Sequence, residues 1–189
     1  MTKKSTTPDQ KAQAERKIKP ALLIIDVQNK YLKMVTQRDC ELAIFFINLL
    51  IELFRKYEFP IVRIYHLDNE NGSQKEAGEF EYPDSILIKP EDLKIVKSYS
   101  DGFNKTNLNK ILTEKGCNTL FLCGLSAVGC VLATLTGAHN NDYKAFIVKN
   151  AIVSHNSDYT RNVEAMFNAV SFDIVKLILE NSVERIGSV

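Results

Sequence analysis

The fold is indicated first by one stretch of sequence, Ala21-Leu-Leu-Ile-Ile-Asp-Val27. Its run of apolar residues predicts a strand that is buried on both faces. Such strands belong to parallel sheets, because helices cover both faces of those sheets. The run ends close to Asp26, so a carboxylate is predicted at the carboxyl end of a central strand.

Strand and helix patterns alternate along the rest of the chain. Further strands are predicted at residues 60–66, 93–97, 119–124, 144–148 and 172–176, and helices at residues 41–58, 106–115, about 129–141 and 160–170. Alternation of this kind is typical of βαβ units. We therefore predict a three-layer α/β/α fold, Rossmann-like, with a central parallel sheet of about six strands.

Length and composition fit a single domain. The chain has 189 residues, 45% of them hydrophobic and 25% charged, and a formal net charge of +1. No basic block suggests a nucleic-acid partner, and no apolar run reaches the roughly 18 residues of a membrane span. Residues 1–19 contain few apolar side chains and are predicted to be a flexible N-terminal tail, with the domain at residues 20–189.

The cysteines favour a reducing compartment. Cys40, Cys117, Cys123 and Cys130 form no C-x-x-C pair, and no secretory signal precedes them. We therefore expect a cytoplasmic protein with reduced thiols.

Chemical groups are predicted at one edge of the sheet. Sites in open parallel sheets form beyond the carboxyl ends of the strands. Asp26 and Lys97 end two of the predicted strands, and a third runs through a turn into Cys130 at the start of a helix. A helix dipole and a nearby lysine favour a thiolate, so we expect Cys130 to titrate below about 8.5 and to be alkylated before the other cysteines. Asp26 could accept the thiol proton.

Other interpretations of the same residues stay open. A cysteine is usually a small buried hydrophobe, and this interpretation is given to Cys40, Cys117 and Cys123. A dyad of Cys130 with His155 is an alternative catalytic pair. The stretch Gly124-Leu-Ser-Ala-Val128 lacks the second glycine of a serine nucleophile elbow. A non-catalytic binding protein could also use this fold.

Three blocks of sequence resemble the isochorismatase-like cysteine hydrolases. They are Leu22-Leu-Ile-Ile-Asp-Val-Gln-Asn29, Lys97 through Phe103, and Gly124-Leu-Ser-Ala-Val-Gly-Cys-Val-Leu-Ala-Thr134. The resemblance implies that Asp26 is the general base, that Lys97 activates and orients, and that Cys130 is the nucleophile. It implies hydrolysis of a C–N bond in a small amide or carbamoyl compound, with hydrolysis of a vinyl ether of the isochorismatase type as the alternative.

The resemblance also implies features around these residues. It implies a cis peptide between Leu125 and Ser126, and an oxyanion hole from the backbone N–H groups of Ser126 and Cys130. We expect contacts to a small-molecule substrate from Gln28, His66, Tyr99 and Phe103. Members of the family commonly form assemblies, so a homo-oligomer, a dimer or a tetramer, is expected.

No metal or other cofactor is predicted. Nicotinamidases of this superfamily hold a metal with an aspartate and histidines after the second strand. Here His66 and Asp68 follow that strand, but no second histidine comes before His139. Such a set is short of ligands for zinc. A further departure from many relatives is Asn150 in place of an aspartate, which we expect to change only the surroundings of the site.

Overall fold

A parallel sheet of five strands forms the centre of the protein. The structure is a computed structural model, and it describes residues 17–67, 78–167 and 169–183. The strands are β1 (Pro20–Ile25), β2 (Ile61–His66), β3 (Leu93–Lys97), β4 (Thr119–Leu125) and β5 (Lys144–Val153). Their order across the sheet is β3-β2-β1-β4-β5, and all neighbours are parallel. The carboxyl ends of all five strands therefore meet at one edge.

Helices cover both faces of this sheet. They are α1 (Asn29–Leu32), α2 (Gln37–Lys56), α3 (Leu108–Glu114), a π-helical turn (Ala127–Val131), α4 (Leu132–Asn140), α5 (Ser157–Met166) and α6 (Phe172–Ser182). The side chains of β1 alternate between two hydrophobic clusters. Leu23 and Ile25 pack into the cluster that includes residues of α3 and α4, whereas Leu22 and Ile24 pack into the one that includes α2 and α6. The predicted three-layer α/β/α fold is confirmed.

The prediction of a sixth strand at residues 172–176 is wrong, because these residues begin helix α6. The apolar residues of this segment follow a helical period: Val175 and Leu179, four positions apart, are buried, while Leu177 between them is 55% exposed. Just before the helix, Val170 makes an isolated parallel bridge to Val148 of β5, and the helix then packs on the sheet through its side chains. The sheet therefore has five strands in the described part of the chain.

Some predictions concern residues outside the described ranges. Most of the predicted N-terminal tail (residues 1–16) and most of the polar loop after β2 (residues 68–77, including Asp68) belong there. Residues 17–19 are exposed, and the backbone N–H of Lys19 donates to Asn118 Oδ1 at 2.9 Å. None of the helices in the described ranges is long and apolar enough to cross a bilayer.

Strands β1 and β4 approach very closely beside the carboxyl edge. Gly124 lies opposite Ile25, the residue before Asp26, and has a φ of 112°. A Cβ atom at this position would lie 2.1 Å from the carbonyl oxygen of Ile25. Only glycine allows both this φ and this approach, so Gly124 fixes the spacing of the strands that carry Asp26 and Cys130.

We predict that Gly124→Ala lowers the free energy of unfolding by about 3 kcal/mol or more, because backbone strain and a steric clash add together. Gly78→Ala is the matched control: Gly78 has a φ of 95°, and no described atom lies within 4 Å of its added Cβ. This control should lower the free energy of unfolding by about 1 kcal/mol, because it adds backbone strain without a steric clash. Urea denaturation measures both, and equal losses would contradict the role of the close approach.

Candidate active site

A buried ion pair lies at the carboxyl edge of the sheet. Lys97 Nζ is 2.6 Å from Asp26 Oδ2, and the two side chains are 0% and 2% exposed. Asp26 follows β1 with a φ of 51°, a left-handed conformation that non-glycine residues adopt rarely and often at functional sites. Its other oxygen, Oδ1, is buried and receives no N–H or O–H hydrogen bond from a described residue. The carboxylate therefore has acceptor capacity left for a further group.

The thiol of Cys130 lies beside this carboxylate. Cys130 belongs to the π-helical turn between β4 and α4, and is half-buried. One oxygen of Asp26, one ring nitrogen of His66 and the sulfur of Cys130 all lie within 4.8 Å of one another. The structure thus brings together the acid, the lysine and the thiol that the sequence analysis placed at this edge.

Burial raises the pKa values of both acidic groups in the cluster. The pKa of Asp26 is raised by its burial, which outweighs the opposing charge of Lys97. Burial, with the negative charge of Asp26 next, raises the pKa of Cys130 to about 11, although Lys97 opposes the shift. The two groups therefore share one negative charge opposite one ammonium, and the free protein keeps a neutral thiol at neutral pH.

The expectation that Cys130 titrates below the free value is wrong. Its backbone turn is not a regular helix start, since Gly129 has a φ of −120° and a ψ of −107°, and burial outweighs any helix dipole. Cys40 is also half-buried, and its burial, with the negative charge of Glu41 next, raises the pKa of its thiol. The prediction that Cys130 is alkylated before the other cysteines therefore no longer follows from its pKa. Cys130 is distinguished by its neighbours rather than by a low pKa.

Gln28 supports the backbone of the site instead of facing a substrate. The side chain is completely buried. Its Oε1 accepts from the backbone N–H of His66 at 2.8 Å, and its Nε2 donates to the carbonyls of His66 and Phe80 at 3.2 and 2.9 Å. All its hydrogen bonds described here go to backbone groups, so the predicted substrate contact of Gln28 is not supported.

The two aromatic residues of the predicted substrate set lie in different surroundings. Phe103 packs against the core cluster and its ring centroid is 5.8 Å from that of Tyr143, so it acts as a packing residue. Tyr99 is 43% exposed, and its hydroxyl accepts from Lys105 Nζ at 2.9 Å. Neither contact joins these residues to the Asp26–Lys97 pair, and substrate contacts of Phe103 and Tyr99 stay predictions.

The turn before Cys130 contains the predicted cis peptide, between Leu125 and Ser126. The hydroxyl of Ser126 lies 3.1 Å from that of Ser154, which is buried and directly follows β5. The carbonyl of Ser126 accepts from the backbone N–H groups of Gly129 and Val131 at 2.9 and 3.2 Å. The turn is therefore held at Ser126, through both its side chain and its carbonyl.

Two residues that hold the site, Tyr82 and Ser154, are not predicted by the sequence. Tyr82 is fully buried by its neighbours, and its hydroxyl lies 2.7 and 2.8 Å from the carbonyls of Ile24 and Ile64, just before the ends of β1 and β2. Ser154 supports the turn from β5. Neither residue belongs to a periodic pattern or a motif, so the sequence alone offered no signal for them.

The alternative catalytic histidine, His155, is exposed, and its ring packs edge-on against Tyr159 at 5.3 Å between centroids. The histidine that lies near the thiol is His66. Together with Asp26 and Cys130 it is the kind of cluster that could face a cation. Lys97 Nζ, however, is 2.6 Å from Asp26 and 3.0 Å from His66, so an ammonium already fills the cationic position.

Comparison with known proteins identifies the family. A model of the isochorismatase domain matches residues 20–172. Because this match covers most of the chain, the protein belongs to the isochorismatase family of hydrolases. The chain is similar to the uncharacterized isochorismatase family protein YddQ of Bacillus subtilis, with 29% identity over 69% of this chain and 76% of that protein.

Two further relatives carry names that describe an activity or its absence. One is a probable inactive nicotinamidase of Arabidopsis thaliana, 30% identical over 69% of this chain and 78% of that protein. The other is the ureidoacrylate amidohydrolase RutB of Methylorubrum extorquens, 26% identical over 54% of this chain and 44% of that protein.

Solved structures share the fold. An isochorismatase-like hydrolase from Alkaliphilus metalliredigens has a TM-score of 0.73 at 22% identity, covering 85% of this chain and 97% of that one. N-carbamoylsarcosine amidase from Thermoplasma acidophilum has a TM-score of 0.67 at 24% identity, with coverages of 82% and 95%. Pyrazinamidase of Pyrococcus horikoshii, in complex with zinc, has a TM-score of 0.71 at 20% identity, with coverages of 82% and 99%.

We predict that Asp26→Asn increases the alkylation of Cys130 at neutral pH while it removes hydrolysis. The substitution deletes the negative charge that raises the pKa of the thiol and keeps the ammonium that lowers it. A fall of one pKa unit gives about tenfold more thiolate, so iodoacetamide should react at least about tenfold faster with Cys130, as measured by peptide mass mapping. Asp142→Asn, at an exposed acid with a φ of 64°, is the control. An unchanged or slower reaction in Asp26→Asn would refute the shared-charge description.

Proposed function

We propose that the protein is a cysteine-dependent amidohydrolase that cleaves a C–N bond of a small amide or carbamoyl compound. The observation that carries this proposal is the buried cluster of Asp26, Lys97 and Cys130 at the carboxyl edge of the sheet. The names of two similar proteins, an amidohydrolase and an N-carbamoylsarcosine amidase, support the choice of C–N bonds.

The first half-reaction uses the thiol as nucleophile. Asp26, whose pKa is raised by burial, is a base strong enough to take the thiol proton when a substrate carbonyl is in place. The thiolate then attacks the carbonyl carbon and forms a tetrahedral intermediate. As this collapses, the C–N bond breaks, the leaving nitrogen takes the proton from Asp26, and a thioester remains on Cys130.

The second half-reaction returns the enzyme to its starting state. Asp26 removes a proton from a water molecule that attacks the thioester carbonyl. The C–S bond breaks, and the proton passes to the departing sulfur of Cys130. Lys97 stays charged throughout and offsets the negative charge that moves between Asp26 and Cys130.

The oxyanion of the tetrahedral intermediates needs hydrogen-bond donors. We assign this role to the backbone N–H groups of Ser126, directly before the π-helical turn, and of Cys130, within it. Fixed donors aimed at a developing charge lower the barrier because they need no rearrangement. The contacts that hold Ser126 support this assignment, since they fix one end of the turn.

We predict that Cys130→Ala and Asp26→Asn each abolish most turnover, and that the double variant loses little more. Residues that act as one unit give such non-additive losses. Ammonia release is measured on a panel of small amides, ureides and carbamoyl amino acids, with Cys40→Ala as the control for loss of a half-buried thiol outside the cluster. Additive losses would refute the shared role. Cleavage of a vinyl ether without ammonia release from any amide would refute the amidohydrolase proposal.

We also predict that hydrolysis survives removal of metals. The thiol supplies the nucleophile itself, so metal-bound hydroxide is not required, and the ammonium of Lys97 lies where a cation would sit among these side chains. After dialysis against a strong chelator, elemental analysis should find less than stoichiometric metal while the kcat of the active amide stays the same. Loss of activity together with a bound metal, and its recovery on adding zinc, would contradict this prediction.

A further inference from the structure

His66 contacts the ion pair of the candidate active site directly. Its Nδ1 lies 3.0 Å from Nζ of Lys97, which also contacts Asp26 Oδ2 at 2.6 Å. We infer that His66 is a positioning residue: it accepts a hydrogen bond from Lys97 through Nδ1 and thereby holds the ammonium between itself and Asp26. The activity part of this inference rests on the proposed function, and its structural part does not.

The sheet places His66 for this contact. His66 and Lys97 are register partners at the ends of the parallel strands β2 and β3. The buried amide of Gln28 binds both the backbone N–H and the carbonyl of His66, and the N–H of Leu67 donates to the carbonyl of Lys97 at 2.8 Å. The backbone of His66 is thus fixed on both sides, so its ring can hold a neighbouring side chain in place.

The chemistry of the two groups fixes the tautomer. A lysine ammonium has three N–H donors and no acceptor. Nδ1 must therefore be the acceptor, and a neutral His66 carries its proton on Nε2. A protonated imidazolium would instead point an N–H at the ammonium and oppose it by like charge. The geometry accordingly requires a neutral ring whose Nδ1 carries no proton and accepts from Lys97.

His66 provides a hydrogen-bond acceptor for the buried ammonium of Lys97. A buried ammonium is costly unless its donors are used. Asp26 accepts from one donor and the thiol of Cys130 lies within reach of another, so without His66 the long, flexible side chain would lose one of its three fixed neighbours. Lys97 would then move relative to the Asp26–Cys130 pair, and the negative charge shared by that pair would lose its fixed counter-charge. The sequence predicts instead that His66 contacts the substrate. An experiment can separate a residue that positions Lys97 from a residue that contacts the substrate.

Two amide substitutions test the role of one ring nitrogen. An asparagine places its amide oxygen the same number of bonds from Cβ as Nδ1, whereas a glutamine places it near the position of Nε2. His66→Asn should keep kcat within about fivefold, whereas His66→Gln and His66→Leu should lower kcat by about tenfold to a hundredfold with little change in KM, as for other residues that orient a reacting group. Thermal melting verifies that all three variants are folded. Equal activity of the Asn and Gln variants, or a change confined to KM, would overturn the inference.

A measurement without substrate separates this inference from the proposed function. Nitrogen-15 NMR of the labelled protein reports the tautomer of each imidazole, and the His66→Asn variant identifies the signal of His66 among the three histidines. We expect the Nε2–H tautomer for His66, and an ammonium signal of Lys97 that persists in His66→Asn and is broadened or lost in His66→Leu. A proton on Nδ1, or a Lys97 signal that is the same in all variants, would overturn the inference even if the enzyme hydrolyses amides. The expected spectra in a protein that hydrolyses no amide would uphold the contact and refute only the proposed function.

Discussion

The ion pair between Asp26 and Lys97 is the interaction on which the rest of the site depends. Taking both charges out of water costs several kcal/mol for each ion, and only close geometry with further hydrogen bonds offsets this cost. The two residues come from β1 and β3, which do not touch each other, because β2 lies between them in the sheet. The pair can form only because both side chains reach across the end of β2. His66 occupies that end, which explains why it contacts the ammonium.

The same pair determines the chemistry of the thiol. A cluster with one ammonium balances one negative charge well and two poorly, because the low dielectric of the interior strengthens repulsion between like charges. Burial raises the pKa values of both Asp26 and Cys130, and for Cys130 the negative charge of Asp26 adds to this effect. A thiol that stays neutral in the free protein is protected from oxidants and chance electrophiles, whose targets are thiolates. The proton transfer to Asp26 that would activate it leaves the total charge of the cluster unchanged, so a substrate need not bring a counter-charge.

The sequence predicts some residues of this site and not others, because only some of them leave a pattern in the sequence. The ends of buried strands are visible as the limits of apolar runs, and Asp26, Lys97 and Cys130 stand at or just beyond such limits. The predicted sixth strand was a short apolar segment, and such a segment fits a strand and one face of a helix equally well. The burial of Val175 and Leu179 distinguishes the two, but it is known only from the structure. The pKa of Cys130 depends on desolvation, which no motif records. Tyr82 and Gln28 act on backbone carbonyls and N–H groups of distant strands, so their partners appear only in three dimensions.

Several costly features lie together at the carboxyl edge of the sheet. Asp26 has a left-handed backbone, and its Oδ1 receives no N–H or O–H hydrogen bond from the residues that the structure describes. Beside it, Gly124 allows an approach of two strands that any side chain would prevent. Near the opposite end of the strands, the ion pair between Arg55 and Asp92 is partly exposed, so its charges are not fully removed from water. Strain and unsatisfied polar atoms lower stability and persist only where the surrounding structure imposes them. Because these features are concentrated at one edge, we infer that this edge serves chemistry rather than stability. The hydrogen bonds behind the site, among them those of Tyr82 across the ends of β1 and β2, maintain its geometry.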